Sequence, residues 1–177
     1  MCWFIERVGT ISDLITALVA IGALVAAVIA WLLSKRTFRY QLINELLKEY
    51  RSKEMGSSIR RLREYFKEEC QSNQDALVQK YIEDYKKEQG DDSIHNNRRA
   101  VSLFFLQLST LAKDSYIRKT AYEIWKRSDL EIIETIIAPI EMKAMRVILN
   151  RQPILDEPNY PTYMKEMLKF YRGAPVE

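Results

Sequence analysis

The side chains best suited to chemistry are cationic. His95, Arg98 and Arg99 lie three and four residues apart in IHNNRRAVSLFFLQLSTLA, so on a helix they share its first turns. Guanidinium groups beside the free N–H groups of a helix start can hold a phosphate or a carboxylate. The opposing reading is structural. Cations at a helix N-terminus oppose the macrodipole, so a carboxylate is expected nearby, and pairing with it would turn the cluster into a packing device. Glu64, Glu134 and Glu141 are the candidate partners. Arg60, Arg61 and Arg63 form a second basic cluster that can converge on the first. Among the acids, Glu131, Glu134 and Glu141 share one C-terminal stretch, and Glu134 and Glu141 project from one face if that helix is continuous. Carboxylate pairs can bind metals or move protons, but the many arginines make ion pairs the simpler expectation.

The remaining reactive residue types exclude more than they suggest. A single His rules out a multi-histidine metal site, and Cys2 and Cys70 match no metal spacing. They read as free thiols of a reducing compartment, although Cys2 can also carry a lipid. No GxxxxGK[ST], GxGxxG or GxSxG occurs. These absences point away from an enzyme, with neither cofactor nor metal expected. With 27 Lys+Arg against 24 Asp+Glu the net charge is +3, too mild for a dedicated nucleic-acid binder.

The elements that position these residues are helical. Only 5 Gly and 5 Pro among 177 residues, with 29% charged, favour long helices over turn-rich β structure. Apolar residues at spacings of three and four mark a stalk (Leu42, Ile43, Leu46, Leu47, Tyr50), then helices near 59–70, 74–89, 94–111 and 115–125. Gly56-Ser57-Ser58 is the expected break after the stalk. Ser72–Asp75 and Ser128–Glu131 read as capping boxes, and Gly90 as a helix end. Val101, Phe104, Phe105, Leu108 and Leu111 make residues 94–111 the expected central helix. Pro139 is expected to kink or split the next apolar stretch, and Pro161 to open a last helix that Gly173 closes.

Ahead of all this stands LITALVAIGALVAAVIAWLL, Leu14–Leu33, without a charge. At about 1.5 Å per residue it covers roughly 30 Å, the thickness of a bilayer's hydrocarbon core. A cleaved signal would need a basic start and a shorter core, whereas Glu6 and Arg7 cancel in front of this one, so a retained anchor is expected. Lys35, Arg36 and Arg39 crowd its C-terminal flank as membrane-surface contacts, which puts the C-terminal domain in the cytoplasm of a cell with the chain in its inner membrane. Trp31, Trp3 and Phe4 suit interface belts. Gly22, Ala23, Ala26, Ala27 and Ala30 form a small-residue face on which two such helices can pack. With only Thr16 polar, the span is poorly suited to line a pore. The expected organisation is a short non-cytoplasmic N-terminus (1–13), a transmembrane helix (14–33), a juxtamembrane stalk (34–56) and an all-α cytoplasmic bundle of about six helices (57–177).

The order of an N-terminal span, YRSKEMGSSIRRLREYF, IHNNRRAVSLFFLQLSTLAKDSYI and IIETIIAPIE resembles a family of small bacterial single-pass membrane proteins of unknown function. The most specific matches are Arg98-Arg99 with Val101, Ser102 and Phe105, and the Pro139–Glu141 segment. The resemblance implies one membrane pass and an all-helical cytoplasmic domain, and it brings no activity. Two functions remain open. One is a non-enzymatic interaction protein that binds a protein partner or itself. The other is a membrane-tethered sensor or effector, as in bacterial defence or stress signalling, whose basic cluster takes a nucleotide-like small anion. The two part at Arg98 and Arg99: closure by carboxylates favours the first, and an open, unpaired pocket the second.

Overall fold

The structure, a computed structural model, describes residues 2–87 and 93–175, with side chains from residue 13 onward. The side chains of Cys2, Trp3, Phe4, Glu6 and Arg7 lie outside this description, and the expected helix end at Gly90 lies outside the described residues. Among those described, every regular element is helical. The chain divides into two compact units, Met1–Asn44 and Glu45–Glu177, so the division falls inside the expected stalk.

Helix α1 (Cys2–Tyr50) contains a stretch long and apolar enough to cross a membrane. From Asp13 to Phe38 its side chains are exposed, the arrangement expected of a surface solvated by lipid tails. Ala and Leu supply the helix propensity, and a helix is one of the two structures that satisfy their own backbone in lipid.

The second unit begins within the last turns of α1 and continues as α2 (Lys53–Glu64), α3 (Gln74–Tyr85), α4 (Ile94–Leu111), α5 (Ser115–Ile124), α6 (Arg127–Leu130), α7 (Met145–Ile148) and α8 (Thr162–Arg172). The first break falls at Arg51 and Ser52, not at Gly56. Ser52 is extended (φ −62°, ψ 150°) and its Oγ accepts from the Met55 amide at 3.1 Å. Gly56 sits inside α2, where it costs about 1 kcal/mol against alanine. The Ser52 cap and the burial of Met55, Ile59 and Leu62 offset that cost.

Two further caps move by similar local logic. Asn73 caps α3 by accepting from the Asp75 and Ala76 amides at 2.9 and 3.2 Å. Ser72 cannot take that place because its backbone is left-handed (φ 56°), whereas a cap residue must be extended. Ser128 lies inside α6, which starts after an extended Lys126 with no side-chain cap. Just before it Trp125 leaves α5 in an extended conformation (φ −100°, ψ 108°) and buries its ring.

Pro139 does not split its stretch. It keeps helical dihedrals (φ −59°, ψ −43°) between two π turns, Ile133–Ile137 and Ile140–Ala144. A proline forfeits one donor and crowds the preceding turn, and wider turns with i→i+5 bonds absorb both effects. The expected last helix is α8. Pro161 stands at its cap and Gly173 at its end, where an added Cβ would lie 2.7 Å from the Tyr122 hydroxyl oxygen. That hydroxyl donates to the Phe170 carbonyl at 2.8 Å, so the glycine permits a close interhelical contact.

The core is organised around α4, which packs against α2 and α8. Val101, Phe104, Phe105 and Leu108 are fully buried on it, while Leu111 is half-buried.

Candidate functional site

Helix α4 starts at Ser93, whose Oγ accepts from the Asn96 amide at 3.2 Å. His95 and Arg98, three apart, point the same way, toward α3 and the second π turn. Arg98 is only 7% exposed. An isolated charge at that depth would cost several kcal/mol. Glu141 answers it: Arg98 Nη1 donates to Glu141 Oε1, and Ser102 Oγ, one turn along α4, donates to the same oxygen at 3.1 Å.

His95 closes the other side of Arg98. Its Nδ1 lies 3.4 Å from Arg98 Nη2 and 3.0 Å from the Tyr81 hydroxyl, and Tyr85 meets the imidazole edge to face with ring centroids 4.9 Å apart. A guanidinium can only donate, so Nδ1 accepts and the neutral ring carries its proton on Nε2, an assignment dictated by the network. Burial holds the His95 imidazole below its ordinary value, and the Arg98 and Arg99 charges push the same way. Burial likewise pushes the Tyr81 phenol up to about 12, so it stays protonated and able to donate.

This network predicts a pH response. The unfolded chain binds a proton at His95 near pH 6.5, whereas the folded chain resists until the pH is lower. The stabilisation is therefore fully present above about pH 6.5 and is lost as the pH falls through the lowered folded value. Because His95 is the only histidine in the chain, unfolding midpoints measured between about pH 7 and 5 isolate it. His95→Gln is expected to flatten the histidine part of that slope, and an unchanged slope would show that His95 titrates normally.

Arg99 has a different fate. It is exposed, has no carboxylate within ion-pair distance among the described residues, and borders a cavity of about 180 Å³ with Arg98, Ser102, Glu141 and Tyr163. The remaining wall is apolar.

The second basic cluster does not join the first. Arg60 pairs with Glu64 at 3.4 Å and Arg61 with Glu69 at 3.4 Å. Arg63 donates to the carbonyls of Ser128 and Asp129 at 3.3 and 3.4 Å. The side of α2 that meets the core carries Met55, Ile59 and Leu62, which turns all three arginines away from the start of α4. Arg60 and Arg63 border other cavities.

The two C-terminal glutamates also part. Glu134 takes Arg172, which donates to it at 2.6 and 3.1 Å and to Glu157 at 2.6 Å, while Glu141 takes Arg98. Seven residues would bring them to one face of a regular helix, but the π turns around Pro139 rotate the downstream chain about the helix axis. Glu131 borders the Arg63 cavity. Among the described residues no three His, Cys, Asp or Glu side chains come together as a metal site. Cys70 is buried and its thiol is pushed up to about 11 by that burial, which leaves it unreactive.

Tyr81, Tyr85, Ser102 and Tyr163 were not legible as site residues. Tyr81 and Tyr85 carry helical periodicity and read as core; the one available signal was that a buried tyrosine hydroxyl needs a partner.

In the first unit, an added Cβ at Gly22 meets nothing within 4 Å, and Ala23, Ala26, Ala27 and Ala30 are exposed with it. Lys35 stands 5.3 Å above the Trp31 ring and Arg36 5.7 Å above Tyr40, aromatic–basic pairs of the kind found at membrane surfaces. Compared with known protein families, characterised proteins and solved structures, the chain matches none.

Proposed function

We propose that this chain is a single-pass inner-membrane protein of bacterial type, with its helical domain in the cytoplasm, that works by association with itself or a protein partner and not by catalysis. The observation that carries this reading is the closure of Arg98 by Glu141, Ser102 and His95. With both Arg98 Nη groups engaged by neighbours, its role is to hold α3, α4 and the π turn in register. The positive flank of Lys35, Arg36 and Arg39 supports the orientation. The uncovered Gly22–Ala30 face supports pairing of helices.

The test is cross-linking of the full chain in native membranes after a carbonate wash. The chain is expected to stay in the pellet and to cross-link as a dimer or to one partner. Gly22→Leu is expected to reduce self-cross-linking several-fold, in line with roughly 1 kcal/mol for a small-residue contact. Release into the supernatant would remove the anchor, and a monomer without cross-links would remove the association. A second reading, capture of a small anion, is favoured by one specific observation: Arg99 borders a cavity with no carboxylate partner of its own.

A further inference from the structure

The cavity at Arg98 and Arg99 has a polar wall and an apolar wall. Leu103, Leu106, Met164 and Met167 form the apolar wall, with Leu103 55% exposed. On the polar wall, the Glu141 carboxylate is engaged by Arg98 and Ser102. The charge left over is that of Arg99. Helix α8 begins beside the cavity with no side chain capping it, so its dipole adds positive potential there.

We propose that this cavity binds a small amphipathic anion, a carboxylate or phosphate monoester whose head meets Arg99 and whose apolar group lies on the Leu103–Met167 wall. This narrows the second reading above and is independent of the association reading. Size sets the class. The cavity is small, about 180 Å³. That suits a short acyl or alkyl chain. A larger cavity, of about 480 Å³, carries Arg118 and Lys169, but it lies at the C-terminal ends of α4 and α8, whose carbonyls oppose an anion.

The experiment is titration of the full chain in lipid nanodiscs with hexanoate and hexyl phosphate, read by methyl NMR of Met164 and Met167. Either probe is expected to shift both methyl groups with a Kd on the order of 1 mM or tighter. Which of the two binds more tightly identifies the head group. Acetate and 1-hexanol, each lacking one half of the ligand, are expected to bind at least about tenfold more weakly, and Arg99→Gln to weaken hexanoate by a similar factor. Leu103→Asn changes an exposed side chain and leaves the fold intact, and it should weaken hexanoate without affecting acetate. Unmoved methyl groups with both probes, equal binding of 1-hexanol, or unchanged affinity in Arg99→Gln would overturn the proposal. Dimer cross-linking of Arg99→Gln separates this outcome from a failure of association.

Discussion

Replacing Glu141 with alanine is expected to cost the helical domain about 3–4 kcal/mol of stability. The cost comes from what remains. Arg98 stays buried, its Nη1 loses its acceptor, and the Ser102 hydroxyl loses the same oxygen. Breaking a buried pair by removing one partner costs about 3–5 kcal/mol, and the lower half of that range applies because the Glu141 side chain is itself 17% exposed. The double change Arg98→Met with Glu141→Leu removes both charges and fills the space with apolar atoms, so it is expected to recover most of the loss. Arg60→Ala breaks an exposed pair and should cost no more than about 1 kcal/mol. Urea unfolding of the four proteins, followed by tryptophan fluorescence, separates these values. A Glu141→Ala midpoint equal to that of Arg60→Ala would mean that water reaches Arg98 and that the pair is a surface one.

The second large effect is expected at Trp125. Its ring is fully buried, 5.7 Å from Tyr50 in an edge-to-face arrangement and 6.0 Å from Phe104. Trp125→Ala removes this packing and leaves a cavity, at a cost of about 3–5 kcal/mol. Tyr50, in the last turn of α1, loses one of its two ring partners. Its neighbours' amides, from residue 46 to 50, are therefore expected to exchange faster with solvent in this variant. Trp125→Phe should be much milder, about 1 kcal/mol. The indole Nε1–H is buried without an acceptor, and removing that unsatisfied donor offsets part of the lost packing. Equal melting temperatures for the Ala and Phe variants would show that packing at this position matters less than its burial implies.

Together the two experiments weigh the two kinds of interaction that hold α4 in place. At one end it is held by a polar network in which each donor has been matched, apart from Arg98 Nε. In its middle it is held by aromatic packing around Phe104. The domain's ordinary surface ion pairs, such as Lys113 with Glu166 at 2.8 Å, contribute little beside either.

How far the sequence could be read depended on the range of the interaction. The apolar span, the helical faces of α2 to α5 and the central place of α4 all arise from spacings within one or two turns, where periodicity and propensity act. Boundaries were less legible: Gly56 outranks Ser52 as a breaker on propensity alone, and only the burial of Met55 and Ile59 reverses that order. The need for an acid near Arg98 was also legible, because the helix dipole demands it locally.

Which acid supplies it was decided by tertiary structure. Glu141 lies 43 residues from Arg98, and its direction depends on two π turns that no local rule places around Pro139. Arg98 and Arg99 are adjacent and chemically identical, yet one is locked into a buried network and the other faces a cavity. Neighbouring residues on a helix point about 100° apart, so only the packing of α4 against α3, the π turn and α8 decides which is buried with a carboxylate and which stays exposed.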